Sequence, residues 1–348
     1  MYYLLDKQLN ILCPIEAYQS MIWTTRYYEA GDFELYVPAT QQMLDTIRTD
    51  YFIVRDDDFT QAMIIQNITV LTDIEQGNYM TITGKSLKNI LSRRIIWHQT
   101  TVNGKVETCI RRLVDDNAVN PHEPLRKISR LVLGPEIGLT ETIKAQFTGD
   151  NLETAIQDIC KNYKIGYDIL LDLENKQFIF ILYKGSDRSY NQSQNPHIIF
   201  SNDFENLLRT NYASGLENYK NAVLIAGEGE GINRRTATIG ATEDLDRYEA
   251  FVDARDVSSN DGELSEGEYI YALVEKGYEF LSNNNKTESI DGEVETEHTY
   301  KVNQDYFLGD IVEVINEYGI IMTPRIVEII ESDDETGHYT IPTFKSDD

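Results

Sequence analysis

The stretch Tyr51–Gly84 returns in altered form as Tyr306–Phe344. Each copy reads as a strand, a short acidic or polar break, a long apolar strand, a turn ending in glycine and a strand opening on tyrosine. Gly77 matches Gly337 and Tyr79 matches Tyr339, both at a spacing of 260 (337−77 and 339−79). Ile68 pairs best with Ile326 (326−68 = 258), so the copies differ by a short insertion. A chain with one small β-module near each end can set two similar modules side by side. Three such chains make a ring of six similar modules. The spacing therefore points to an assembly component rather than an enzyme.

At 348 residues the chain has room for roughly two to three domains. Its 58 Asp and Glu against 31 Lys and Arg give a formal charge of −27. That field opposes a nucleic-acid groove, which needs clustered Lys and Arg, and opposes docking on an anionic membrane. It fits solubility, and more sharply a lumen wall that lets DNA slide past without sticking. Cys13, Cys109 and Cys160 are too few and too scattered for a disulfide scaffold, and Cys109 and Cys160 fall on apolar helical stripes. The opening MYYLLDKQLNIL carries an early Asp and lacks a long apolar core, so it does not read as a signal peptide. No apolar run reaches the length of a membrane span. The glycosylation-like triplets at Asn67, Asn191 and Asn285 are then chance matches.

Residues 1–100 read as an N-terminal β-barrel-like module closed by a helix. Phe33, Leu35 and Val37 alternate up to Pro38; Met63–Val70 and Tyr79–Thr83 form a hairpin across Glu75-Gln76-Gly77. Leu87, Ile90, Leu91 and Ile95 share a helical stripe with Ser86 as N-cap. Residues 101–196 read as a central α+β segment. Val106, Cys109, Ile110, Leu113 and Val114 lie at helical spacing, and Asp150 with Glu153 forms a capping box for a helix whose stripe runs from Leu152 to Tyr163. Alternation from Tyr167 to Leu173 and the run Phe178–Tyr183 make a hairpin, and the polar stretch 185–196 marks a boundary. Residues 197–348 read as a C-terminal β-barrel-like module with an inserted helix at 266–282, opened by a Ser265/Glu268 capping box. Strands are expected at Ala222–Ala226, Tyr248–Asp253 and Val294–Val302, with 227–247 as a long loop. The fold class is α+β: two similar barrel-like modules flanking a central α/β-rich segment.

The usual signatures of chemistry fail on inspection. Gly84-Lys85-Ser86 resembles the end of a phosphate loop, but position 79, where that loop needs its first glycine, is a tyrosine inside a strand. Gly227, Gly229 and Gly231 lack the third glycine of a dinucleotide fingerprint and alternate with Glu228 and Glu230. His98, His122, His197, His298 and His338 lie too far apart for a helical zinc pair, and no CxxC occurs. Asp56-Asp57-Asp58 and Asp333-Asp334-Glu335 lack calcium-loop spacing and read as solvated turns. No catalytic, cofactor-binding or metal-binding set emerges, and no cofactor is expected. Two other readings stay open: a cell-wall hydrolase, and a receptor- or carbohydrate-binding module built on the 22 Tyr and 2 Trp.

The segment from Tyr18 through Trp23, Arg26, Tyr28, Gly31, Asp32, Phe33, Glu34 and Leu35 to Pro38 resembles a phage family. So do Gly84 and Leu87 within Ile82–Arg94, and Gly309-Asp310 within Gly309–Val312. Together they are similar to the tail-hub proteins of long-tailed phages and prophages, including baseplate hubs and the N-terminal part of tail-associated proteins. The motif residues mark fold rather than catalysis. The resemblance implies a homotrimer with modules alternating around a pseudo-sixfold ring at the virion tail tip, assembled in the bacterial host cytoplasm. It implies a symmetry adapter: a hexameric distal-tail or tail-tube ring on one face, receptor-binding or fibre proteins on the other, the tape-measure protein nearby, and DNA passing through. The chain ends soon after the second module, so wall degradation is expected to reside in a separate protein.

Overall fold

The computed structural model describes residues 1–73, 77–259, 262, 264–294, 299–335 and 337–345. The N-terminal part holds β1 (Tyr2–Leu5), β2 (Ile11–Ile15), β3 (Ser20–Arg26), β4 (Asp32–Pro38), the short helix α1 (Gln41–Thr46), β5 (Phe52–Arg55), β6 (Ala62–Asp73) and β7 (Gly77–Ser86). The central part holds β8 (Thr100–Lys105), α2 (Val106–Val114), β9 (Leu131–Leu133), β10 (Thr142–Phe147), α3 (Leu152–Tyr163), β11 (Gly166–Asp172) and β12 (Gln177–Tyr183). The C-terminal part holds β13 (Ile199–Ser201), β14 (Leu207–Gly215), β15 (Ala222–Ala226), β16 (Thr236–Ile239), β17 (Glu249–Asp253), α4 (Glu266–Asn283), β18 (Thr287–Val294), β19 (Glu313–Ile315), β20 (Ile321–Met322), β21 (Arg325–Asp334) and β22 (Gly337–Lys345).

The expected hairpins form, but they do not curl into two separate barrels. One open eleven-stranded sheet runs β14-β18-β22-β21-β3-β4-β7-β6-β5-β1-β2, and none of the described sheets closes. The duplication is larger than the hairpin. Across β3, β4 and β7 the row Trp23, Phe33, Gly84 is matched across β14, β18 and β22 by Tyr212, Ile290, Phe344. Both hairpins carry a β-bulge at the same place, just after Ile65 opposite Gly84 and just after Ile326 opposite Phe344. The sheet therefore holds two four-strand repeats in sequence, β14-β18-β22-β21 and then β3-β4-β7-β6. The structural partner of Ile326 is Ile65 (326−65 = 261), not Ile68. The register change lies in the hairpin turn, where Asp73 pairs with Gly77 but Asp334 with Gly337.

Each repeat keeps its own core on one face. Met21, Trp23, Phe33, Leu35, Met80 and Ile82 bury against β1, β2 and β5. Ile290, Ile326, Ile329 and Phe344 bury against Phe200, Tyr306 and Val314. The central helices α2 and α3 and the β11–β12 hairpin share a third core with the far side of β5 and β6. A fourth core belongs to a lobe inserted at the tip of the β14–β18 hairpin, where Gly215 pairs with Thr287; there β16-β15-β17 packs on α4.

Several local expectations need correction. Leu87–Arg93 is a 3-10 helix, and Ser86 makes no cap bond: its Oγ accepts from the Gly31 N–H at 3.1 Å. Asn151, not Asp150, caps α3, accepting from Thr154 N–H, because Asp150 is turned back onto Thr148 N–H. The loop 227–247 contains β16, which pairs with β15. Asp333 and Asp334 extend β21 instead of forming a turn. The strand expected to Val302 ends at Val294; residues 295–298 lie outside the described residues, as do Glu75 and Gln76. The Ser265/Glu268 capping box on α4 is present in full. No helix among the described residues is long and apolar enough to cross a membrane.

Candidate functional site

The motif residues converge where the two repeats meet, at the antiparallel pairing of β3 with β21 that runs from Arg26–Glu328 to Ser20–Asp334. Arg26 sits at the end of β3. Its Nε donates to Glu328 Oε2 at 2.5 Å and one terminal nitrogen to Asp32 Oδ2 at 2.7 Å, while Lys85 Nζ donates to the same Asp32 oxygen at 3.1 Å. Burial raises the Asp32 carboxyl, but Arg26 and Lys85 outweigh it and hold the pKa below the usual value. Three motif-bearing strands are thus tied to the C-terminal repeat by one half-buried ion network. Glu34 points to solvent, whereas Trp23, Phe33, Leu35 and Leu87 are buried in the cores.

Gly31 and Gly84 serve close approach, and neither has a positive φ. A Cβ at Gly31 would lie 2.0 Å from the Thr24 carbonyl oxygen, and one at Gly84 would lie 1.8 Å from that of Ile64. Gly31 therefore is not the conformational hinge that its position before β4 suggests. Gly309 differs: its φ is +95°, and its backbone lies on the ring of Tyr27, 2.2 Å from where a Cβ would stand.

Tyr27 is the residue that sequence reasoning missed. It is fully buried, its hydroxyl lies 3.3 Å from the Lys164 carbonyl and accepts from Gly185 N–H at 3.2 Å, and its own N–H donates to the Val327 carbonyl. Gly166 and Gly309 press on its ring, Tyr28 and Tyr183 meet it edge-on at 4.7 and 5.3 Å, and the Arg325 guanidinium lies 5.5 Å above it. One side chain bolts the N-terminal repeat to both the central part and the C-terminal repeat. The signal was parity: Trp23, Thr25 and Tyr27 share a side of β3 and its extension, so Tyr27 rather than Tyr28 points inward.

Lys88 is a second missed residue. It is buried, donates to the carbonyls of Arg26 and Tyr27, and lies 4.8 Å over the Tyr167 ring; burial pulls its pKa below the usual value. Asp310 closes the other side. Its carboxylate accepts from Ser186 N–H at 2.7 Å, Arg188 Nε at 2.6 Å and Phe307 N–H at 3.0 Å. Beside the junction opens a cleft of about 1330 Å³. Its acids are engaged: Asp57 and Glu331 by Arg55, Asp310 by Arg188, Asp168 by Gln61, and Asp58 by the N–H and hydroxyl of Thr60. No group of three described His, Cys, Asp or Glu residues is placed to hold a metal. The arrangement fastens modules together.

The overall fold is shared with tail proteins of phages and prophages. The chain resembles the tail protein of Neisseria meningitidis MC58 with a TM-score of 0.60 at 15% identity, over 99% of this chain and 97% of that one. It resembles the 43 kDa tail protein of prophage MuSo2 from Shewanella oneidensis with a TM-score of 0.60 at 12% identity, over 99% and 98%. It also resembles prophage tail protein gp18 of Listeria monocytogenes EGD-e, with a TM-score of 0.51 at 12% identity over 99% and 94%. The class that this likeness defines is one of fold, the fold of these phage and prophage tail proteins. Residues 1–344 match the model of the Siphovirus ReqiPepy6 Gp37-like proteins, and the chain belongs to that family. No curated protein sequence matches it.

Proposed function

We propose that this protein is a structural hub of a phage tail tip: a homotrimer whose six modules form a pseudo-sixfold ring around the DNA path. The ring adapts a hexameric distal-tail or tail-tube ring to threefold tip components, with the tape-measure protein and receptor-binding or fibre proteins as neighbours. One observation carries the reading. The repeats β14-β18-β22-β21 and β3-β4-β7-β6 follow in the same order and, through an unbroken antiparallel ladder, in the same direction. Such units are related by rotation rather than by a local dyad, and a head-to-tail series of them closes as a ring.

The sheet also supports an inside and an outside. Over β3, β4, β7, β21 and the last part of β6, one face is covered by the cores of the two repeats and the other is bare, so in a closed ring the covered face lies outward and the bare face inward. That bare face carries Thr69, Thr81, Thr83 and Tyr36, with Asp32, Glu34, Asp73, Glu328 and Asp334 against Arg26 and Lys85. Only a small part of the −27 lies there. The bore resists DNA adhesion mainly by lacking a cationic surface, more than by the strong repulsion that composition suggested.

The purified chain is expected at three times 40.0 kDa in native mass spectrometry, and as three copies on six with the distal-tail ring protein of its own virion. A single-chain mass that ignores the ring protein would remove the hub reading.

A further inference from the structure

We infer that the seam between neighbouring copies is a β-ladder between β6 of one chain and β14 of the next, in a register fixed residue by residue. The inference rests on the ring reading above, and its partner is a second copy of this chain.

Within the chain, the last strand of one repeat meets the first strand of the next: β21 pairs with β3. The strands in those places at the two ends are β6 and β14. The β21 segment that β3 covers is Glu328–Asp334, just past the bulge. Its equivalent is Asn67–Asp73, also just past the bulge. There β5 has already ended, since it pairs only with Ala62–Ile64. At the other end β14 pairs with β18 on one side and is the edge of the sheet on the other.

Carrying the internal register across gives the seam. Trp23 stands opposite Glu331 inside the chain. Their equivalents are Tyr212 and Val70, so Tyr212 of one copy faces Val70 of the next. On the same ladder Asn211 faces Leu71, Ala213 faces Thr69 and Gly215 faces Asn67. The last pair, Arg209 opposite Asp73, joins opposite charges. The antiparallel sense is right without adjustment, because eight alternating strands return to the starting direction.

Exposure gives an independent argument. Trp23 and Glu331 are 1% and 8% exposed, whereas their twins Tyr212 and Val70 are 38% and 45% exposed. Leu71 at 54% and Leu208 at 60% lie on the same two edges. Unpaired edges of this length that carry exposed apolar side chains are templates for strand pairing and are normally covered. A neighbouring copy would cover both at once.

The test is the double variant Val70→Cys with Tyr212→Cys, in a Cys13→Ser background to remove the half-exposed native thiol. After mild oxidation a denaturing, non-reducing gel is expected to show three linked chains, and each single variant only one. A trimeric native mass that separates into single chains after oxidation would overturn the seam while leaving the ring intact. A single-chain native mass would overturn both. Hydrogen exchange on the unmodified trimer gives a second reading that needs no variant. Amides at 67–72 and 210–215 are expected to exchange at least tenfold more slowly than in an unpaired edge; rapid exchange there within a trimer would sink the proposal.

Discussion

Replacing Tyr27 with alanine is expected to lower the unfolding free energy by about 3–5 kcal/mol, the cost of deleting a large aromatic from a packed core. The loss reaches beyond volume. The N–H of Gly185 and the carbonyl of Lys164 lose a partner, and the ring that supports Gly166, Gly309 and Arg325 disappears. Because Tyr27 touches three parts of the chain, the variant should unfold in more than one step, with the central part parting from the sheet first. Tyr27→Phe keeps the ring and removes only the hydroxyl, so it is expected to cost about 1–2 kcal/mol. Urea unfolding followed by tryptophan fluorescence measures both, since Trp23 lies in the neighbouring core. Equal losses in the two variants would show that the hydroxyl, not the ring, holds the junction.

Gly84→Ala is expected to be at least as damaging, about 3 kcal/mol or more, with a large fall in soluble yield. The new Cβ would stand 1.8 Å from the Ile64 carbonyl oxygen and 2.9 Å from the Phe33 ring, so the bulged ladder between β6 and β7 has to open. The equivalent position in the other repeat is Phe344, opposite Ile290. The two repeats fill the same space from opposite strands: Phe33 over Gly84 in one, Phe344 over Ile290 in the other. Gly267→Ala is the control, because nothing lies within 4 Å of its added Cβ and it sits in the first turn of α4. It should change stability by less than about 1 kcal/mol, in the favourable direction. A mild Gly84→Ala phenotype would mean that the strands can separate there without loss, and would undercut the account of the junction.

The candidate site was partly legible. Arg26, Asp32, Gly31, Gly84, Gly309 and Asp310 do sit at or beside the junction, and the Ser265 capping box needed only four residues of sequence to be read. Tyr27 was passed over for Tyr28 because adjacent tyrosines look alike until strand parity is applied. Lys88 was hidden on an otherwise apolar stripe. Its acceptors, the carbonyls of Arg26 and Tyr27, are backbone groups that carry no residue-type signal.

By itself the sequence determined what is local. Alternation at Phe33, Leu35 and Val37, the apolar stripes of α2 and α3, and the glycine-ended turns at Gly77 and Gly337 each fix an element and its buried face through contacts between near neighbours. Which strand lies beside which was decided only in the folded chain. The pairing of β3 with β21 joins residues about three hundred positions apart, and Tyr212 matches Trp23 although the two segments share no visible motif. Alternating side chains specify a face, not a neighbour, because backbone hydrogen bonds are the same for every residue. The four-strand repeat therefore becomes visible only when the ladder is built, with Gly84 and Phe344 exchanging volume across it.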